Sequence, residues 1–235
     1  MKPAIAYLPG LEGTGELLFM QEPALRDRYT VIKVPWRTAP PFGVSDLSAD
    51  VATALDNAGA DRATIVAESF GGVVALNLAL SHPERIERLV LVNAFPVFHN
   101  RGLLTFGRWL SFGSSTLVHA LRVAVDTPLL TLEGIPREAR LRFFSAAKRQ
   151  PHAAYRQRIE IIAQHDVRSR LGEIAVPTLV VSSGRDRVVP PAMSRMLAER
   201  IPGARLRVLP KAGHAALLTP GVSLVDLLDE AYSLS

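Results

Sequence analysis

Residues 63–72 read Ala63-Thr64-Ile65-Val66-Ala67-Glu68-Ser69-Phe70-Gly71-Gly72, and they decide the fold that we predict for the whole chain. The first five are apolar or β-branched and predict a buried strand. The run VVALNLAL at residues 73–80 is apolar on almost every side and predicts a buried helix. A serine between them, with Ala67 two residues before it and Gly71 two residues after it, is typical of a sharp strand-to-helix turn. Because such a turn exposes a hydroxyl, we predict that Ser69 is a nucleophile.

The length and composition are those of one domain with a large core. The chain has 235 residues, 48% of them hydrophobic, and it has no cysteine. Disulfides, thiolate metal sites and cysteine catalysis are therefore excluded. The apolar run at the start is too short for a secretory signal, and no stretch approaches the roughly 20 apolar residues of a membrane span. We expect a soluble, cytoplasmic protein without a membrane span.

The net charge of +5 is concentrated in one segment. Residues 96–170 contain 12 Arg and Lys against 5 Asp and Glu, whereas the rest of the chain contains 15 against 17. The cations are spread through helical patterns and are not interleaved with aromatic residues in a basic run, so no binding to nucleic acid is expected. They are either the solvated faces of surface helices or a surface that meets an acidic partner.

Strand and helix patterns alternate along most of the chain. A helix from Asp46 to Asn57 with Ser45 as its N-cap, and helices over residues 191–200 and 215–233, separate some of the strands. Alternation of this kind predicts an α/β fold with a mostly parallel, doubly wound sheet. We predict six strands, at residues 4–8, 29–34, 63–67, 86–92, 178–182 and 205–209.

The strand pattern is absent between residues 96 and 170. Helical patterns take its place, at residues 103–112, 115–125, 137–149 and 152–164. We therefore divide the chain into a core domain, residues 1–95 and 171–235, and a helical cap inserted at residues 96–170. The insertion leaves the sheet at the edge where the strands end, so the cap is expected to lie over the site.

Two further residues follow the ends of predicted strands, where parallel sheets place their chemistry. Asp186 comes after the fifth strand and His214 after the sixth. A serine hydroxyl needs a base within hydrogen-bond reach, and the base needs a carboxylate to fix its tautomer. Considered by itself, each residue has a simpler interpretation. His214 is then a polar loop residue, and Asp186 caps the following helix or forms a surface ion pair with Arg185 or Arg187. The order Ser69, Asp186, His214, each at a strand end, favours a catalytic triad.

The loop Pro9–Gly15 has three glycines directly after the first strand. It lacks the lysine of a P-loop and does not fit the dinucleotide pattern, so phosphate binding is the weaker alternative. An oxyanion requires donors that are already in place. We predict that the backbone N–H groups of Leu11 and Phe70 supply them.

Together these motifs resemble the α/β-hydrolase superfamily over nearly the whole chain. The order of the triad is that of the family, and residues 184–190 (GRDRVVP) and 213–214 look like its acid and histidine loops. The motifs LPGLEGTG at residues 8–15 and ESFGG at residues 68–72 are more similar to those of esterases, lipases, thioesterases and acyltransferase-like members. Ala67 stands at the first glycine of the Gly-x-Ser-x-Gly elbow, Pro9 replaces a frequent histidine, and the first two strands of the family are missing from the pattern.

The residues and the resemblance predict a serine hydrolase that cleaves small carboxylic esters through an acyl-enzyme, without a cofactor or a metal. The apolar residues of the cap are mostly explained by core packing, and the remainder favour short to medium acyl chains. We assign substrate binding to Gly10, Phe95 and Trp109.

Other activities use the same constellation of residues. A thioesterase or an acyltransferase acting on carrier-bound acyl groups is one alternative, with the arginine-rich cap receiving an acidic acyl carrier. A cofactor-free haloperoxidase, a lyase and a small-molecule receptor are the others. The oligomeric state stays open at this stage.

Overall fold

Six strands form the sheet at the centre of the protein. The computed structural model describes residues 2–98, 100–110, 125–130 and 132–234. Every neighbouring pair of strands is parallel, in the order β2-β1-β3-β4-β5-β6. The predicted parallel sheet is confirmed, with boundaries that differ by one residue at β2, β3 and β5. The strands are β1 Ala4–Leu8, β2 Thr30–Lys33, β3 Ala63–Glu68, β4 Ile86–Val92, β5 Thr178–Ser183 and β6 Arg205–Leu209.

Helices cover both faces of the sheet. One face packs against α2, α3 and α7, and the other against α1 and α8. Because both faces are covered, β3 and β5 are buried at every residue, whereas the edge strand β6 exposes most of its side chains. The described helices are α1 Glu22–Leu25, α2 Val44–Asn57, α3 Phe70–Ser81, α4 Arg101–Leu110, α5 Arg137–Arg149, α6 His152–Gln164, α7 Pro191–Arg200 and α8 Leu224–Tyr232.

The start of α2 differs from the prediction. The helix begins at Val44, so Ser45 lies inside it and is not its N-cap. Gly43 is the N-cap, and its N–H donates to the carboxylate of Asp46 over 2.7 Å. The acidic side chain in the first turn therefore satisfies the helix end in place of the serine hydroxyl.

The predicted helix over residues 215–233 is wrong in its first half. A 3₁₀ turn at Ala216–Leu218 is followed by a loop, and α8 starts only at Leu224. Proline at 220 and Gly221, whose φ is 81°, interrupt the apolar pattern. Ser223 then caps α8 by accepting the N–H of Asp226 over 3.1 Å.

Between residues 96 and 170 the described residues form helices and no strand of the sheet. The helices predicted at 137–149 and 152–164 are confirmed as α5 and α6, and that at 103–112 begins two residues earlier as α4. Most of the helix predicted at 115–125 lies outside the described residues. In α4, Arg108 forms an ion pair of 2.6 Å with Glu160 of α6.

None of the described helices is both long and apolar enough to cross a membrane.

Candidate active site

Ser69 lies in a strained turn between β3 and α3. Its φ is 53° and its ψ −114°, a conformation that residues other than glycine rarely adopt. Its N–H donates to the carbonyl of Val92 at the end of β4 over 2.9 Å. A Cβ added to Gly71 would lie 2.2 Å from the carbonyl oxygen of Leu8, and one added to Gly72 would lie 2.4 Å from the Cβ of Ala94. Only glycine permits this close approach, which holds the serine at the sheet edge.

The structure brings together the three residues predicted as a triad. His214 Nε2 lies 2.9 Å from Ser69 Oγ, and His214 Nδ1 lies 2.8 Å from Asp186 Oδ2. The other carboxylate oxygen of Asp186 accepts the N–H groups of Val188 and Val189 over 2.8 and 3.0 Å. Asp186 therefore both orders its own loop and contacts the histidine.

The electrostatics of this pair favour a basic imidazole beside a charged carboxylate. Burial alone lowers the pKa of His214, but the charge and hydrogen bond of Asp186, together with the charge of Glu68, raise it above 6.5. Burial also opposes the ionisation of Asp186. The nearby His214 and the amide hydrogen bonds outweigh that effect and hold the pKa of Asp186 below 3.8. Asp186 is thus ionised at neutral pH.

One predicted oxyanion donor, Phe70, follows Ser69 directly, and the other, Leu11, belongs to a turn that packs against Ser69. Gly13 N–H donates to Gly10 O over 3.1 Å and closes a turn around Leu11. In the described part of the chain the Leu11 N–H donates to no acceptor. Phe70 is the first residue of α3, so its N–H has no acceptor within the helix. A Cβ added to Gly10 would lie 3.7 Å from the Cβ of Ser69, which places this turn against the serine.

Trp36 supports the same turn, and no pattern in the sequence indicates this role. Its Nε1 donates to the carbonyls of Pro9 and Gly10, both over 3.1 Å. Its ring stands edge-to-face with Phe70, with the centroids 5.7 Å apart. One indole therefore joins the loop that carries one predicted donor to the residue that carries the other.

A largely apolar cavity opens above Ser69. Side chains of α4, α5 and α6 and of residues 129–130 form one part of its wall, and Gly10, Leu11 and Phe95 are among the residues that form the rest. The volume is about 150 Å³. Trp109 belongs to α4, but its side chain lies outside the described part of the chain. The side chains with polar groups in the wall are those of Glu12, Glu68, Ser69, Asp126, Tyr155 and His214.

Two buried glutamates line the same cavity as Ser69. Glu68 accepts the hydroxyl of Tyr7 over 2.9 Å, and burial is the main cause of its raised pKa. Burial and the nearby charge of Glu68 also raise the pKa of Glu12 to about 7, although hydrogen bonds from Thr14 and the charge of Arg158 oppose the shift. Within the described residues, no group of three His, Asp or Glu side chains is arranged to hold a metal ion.

Asn93 organises the loops that carry the acid and the histidine, and the sequence analysis missed it. It follows β4 with φ 49° and is 1% exposed. Its Nδ2 donates to Ser183 Oγ over 2.9 Å and to the carbonyl of His214 over 2.8 Å, while its Oδ1 accepts the N–H of Ser183 over 2.8 Å. An asparagine directly after a buried strand was the available signal, since asparagine tolerates left-handed backbone.

A sequence model described as the alpha/beta hydrolase fold matches residues 3–220. The chain belongs to the α/β-hydrolase fold family. The match spans all six strands and the three residues of the hydrogen-bonded chain, and it confirms the resemblance found in the motifs.

Several relatives of this α/β hydrolase match it over most of their length. The putative carbamate hydrolase RutD of Klebsiella pneumoniae is 26% identical over 98% of this chain and 91% of its own. A pimeloyl-[acyl-carrier protein] methyl ester esterase of Aeromonas hydrophila is 30% identical over 97% and 94%. The crystal structure of an enol-lactonase from Burkholderia xenovorans superimposes with a TM-score of 0.83 at 25% identity, covering 99% of this chain and 90% of the other.

The role of Asn93 can be tested with two variants. Asn93→Ala and Asn93→Gly both remove the hydrogen bonds, but only glycine adopts a φ of 49° without strain. We expect the glycine variant to lose about 1–3 kcal/mol of unfolding free energy because buried polar groups are left unpaired. The alanine variant should lose more. Urea unfolding measures both, and a glycine variant as stable as the wild type would contradict the role.

Proposed function

We propose that the protein is a serine hydrolase that cleaves carboxylic esters through an acyl-enzyme. The observation that carries the proposal is the hydrogen-bonded chain Asp186–His214–Ser69 at the floor of an apolar cavity. A partly buried serine in a strained turn, in contact with a histidine whose pKa is raised, is arranged for nucleophilic catalysis. The names of the two curated relatives refer to hydrolysis of a carbamate and of a methyl ester.

In this mechanism the neutral His214 takes the proton of Ser69 as Oγ attacks the ester carbonyl. The N–H groups of Leu11 and Phe70 donate to the oxyanion, and Asp186 stabilises the imidazolium. His214 then gives the proton to the leaving alcohol. Water, deprotonated by His214, attacks the acyl-enzyme and releases the acid.

The cavity determines which acyl groups fit. Its volume of about 150 Å³ is close to that of cavities that hold one benzene-sized molecule. Because side chains of α4 and α6 form much of its wall, residues 96–170 act as a cap that selects the acyl chain. Short acyl groups are therefore the preferred substrates. The 2% exposed Phe95 contacts them from the core side.

The nucleophile is tested by Ser69→Ala. We expect hydrolysis of p-nitrophenyl butyrate to fall by at least about 10³-fold, because no acyl-enzyme can form. Ser81→Ala is the matched control: Ser81 lies at the end of α3, and its hydroxyl donates only to the carbonyl of Asn77. Full activity of the purified Ser69→Ala variant would show that another group is the nucleophile.

The raised pKa of His214 predicts the pH profile. Only neutral imidazole accepts the serine proton, so kcat/KM should rise with pH as His214 loses its proton. Asp186→Asn removes the charge that raises this pKa, so the midpoint of the rise should move to lower pH. The rate should also fall by roughly 10⁴-fold because the tautomer is no longer fixed. Asp166→Asn, which alters an exposed carboxylate paired with Arg168, should leave the profile unchanged.

Hydrolysis of acyl groups bound to an acidic carrier protein is a second candidate function. Two observations favour it: the surplus of 12 Arg and Lys over 5 Asp and Glu in residues 96–170, and the relative named for an ester of acyl-carrier protein. Arg137 and Lys148 are exposed and lie about three turns apart on one side of α5. Such surface charges accelerate the encounter with an acidic partner.

The carrier is tested with the variant Arg137→Glu/Lys148→Glu and butyryl-acyl carrier protein. At low salt we expect kcat/KM for the carrier-bound group to fall by about tenfold, because charge reversal slows association. Hydrolysis of p-nitrophenyl butyrate is the control and should not change. Turnover that is insensitive to salt, with no preference for the carrier-bound group, would exclude this candidate.

A further inference from the structure

Only one of the two carboxylate oxygens of Glu12 accepts hydrogen bonds. Glu12 is 5% exposed and lies in the wall of the cavity. Its Oε2 accepts two hydrogen bonds from Thr14, over 2.6 Å from the N–H and 2.8 Å from the hydroxyl. Its Oε1 is buried and has no hydrogen-bond partner among the described residues. A buried polar atom without a partner is uncommon and requires a physical explanation.

The neighbours of Glu12 do not supply that partner. Arg158 is fully buried behind Gly13, where a Cβ would lie 2.4 Å from its Nη1, and its Nη2 donates to Gln150 over 2.8 Å. Its positive charge lowers the pKa of Glu12, but less than burial raises it, so the pKa lies at about 7. Arg158 therefore balances part of the charge without occupying Oε1.

The second glutamate of the wall has a different environment. Glu68 Oε2 accepts the hydroxyl of Tyr7 over 2.9 Å. Its Oε1 also lacks a hydrogen bond of normal geometry, but the N–H groups of Ala216 and Leu217 lie close enough to favour its charged form. Neither Oε1 therefore has a hydrogen-bond partner among the described residues, and the backbone N–H groups near Glu68 leave the oxygen of Glu12 as the less compensated of the two.

Glu12 is well placed to meet a substrate. It belongs to the turn from Gly10 to Gly13 that lies against Ser69 and carries the N–H of Leu11. Most of the remaining wall is apolar. An acyl chain without a hydrogen-bond donor would leave the buried Oε1 without any partner, which is unfavourable.

We propose that Glu12 is a specificity-determining residue that binds a neutral hydrogen-bond donor, a hydroxyl or an amide N–H, on the acyl part of the substrate. The proposal rests on the proposed ester hydrolysis and names its substrate class. An anionic acyl group would face both Glu12 and Glu68, which excludes it by repulsion. A cationic group would add a positive charge where the guanidinium of Arg158 already acts on Glu12.

Two pairs of p-nitrophenyl esters test the proposal because each pair differs in a single donor. The 3-hydroxybutyrate is compared with the isovalerate, in which a methyl group replaces the hydroxyl. The N-acetylglycinate is compared with the levulinate, in which a methylene replaces the N–H. At pH 8.5, above the pKa of Glu12, the wild type should favour the donor-bearing member of at least one pair by about 10-fold or more in kcat/KM.

Two variants remove the acceptor in different ways. Glu12→Leu puts an apolar group in the wall. In Glu12→Gln, which has nearly the same volume, the oxygen is retained by Thr14 and the NH₂ group faces the cavity. In both variants we expect the ratio of kcat/KM for the donor-bearing ester to that for its partner ester to fall to about one or below. Glu16→Gln, at an exposed carboxylate paired with Arg149, is the control and should keep the wild-type ratio.

The ratio of kcat/KM between the two esters of a pair separates a role in specificity from a structural role. Damage to the fold lowers kcat/KM equally for both esters and leaves the ratio unchanged. Hydrolysis without a preference in the wild type, or a preference that persists in both Glu12 variants, would overturn the proposal and leave the esterase function intact.

If no ester is hydrolysed, the proposed function fails instead. The role of Glu12 is then tested by the binding of methyl 3-hydroxybutyrate and of methyl isovalerate to Ser69→Ala, measured by tryptophan fluorescence. About tenfold tighter binding of the hydroxy ester that disappears in Ser69→Ala/Glu12→Leu supports the proposal, and equal binding contradicts it.

Discussion

The left-handed backbone of Ser69 is the constraint on which the rest of the site depends. A serine with φ 53° persists only where its surroundings enforce the conformation, and here the ends of two strands do so. The carbonyl of Leu8 presses against Gly71, and the carbonyl of Val92 accepts the N–H of Ser69. The same contacts bring the turn after β1 against the serine. The proposed nucleophile and the residues that carry the proposed oxyanion donors are therefore positioned by the same packing contacts.

A second left-handed residue, Asn93, performs the equivalent task for the other side of the site. It follows β4, next to the strand that ends at the serine turn. It binds the backbone N–H and the hydroxyl of Ser183 at the end of β5 and the carbonyl of His214 in the loop after β6. The hydrogen bonds from Asn93 fix where the backbone of His214 lies, whereas Asp186 fixes how its ring is turned. Position and orientation of the imidazole thus come from different residues.

The sequence predicted those parts of the structure that depend on local pattern. Ser69, Asp186 and His214 could be placed because the ends of parallel strands meet at one edge of the sheet. Asn93 and Trp36 could not, since their partners lie 121 and 26 residues away and no periodic pattern marks them. The prediction of one helix over residues 215–233 was wrong because the apolar spacing that suggested it continues through Pro220 and Gly221, where the backbone turns.

Three carboxylates, those of Asp186, Glu68 and Glu12, lie at or beside the cavity, and each is held in a different way. Asp186 is stabilised as an anion by His214 and two amides, Glu68 is paired with Tyr7, and Glu12 is held on one oxygen only. Burial disfavours the ionised form of all three carboxylates, and each negative charge makes it harder to ionise the next one. The unfavourable energy is greatest for the carboxylate with the fewest hydrogen bonds and nearby positive charges. This places the open polar contact at Glu12, beside the apolar cap. In the proposed enzyme the floor of the cavity therefore performs the chemistry, while the boundary between Glu12 and the cap distinguishes one acyl group from another.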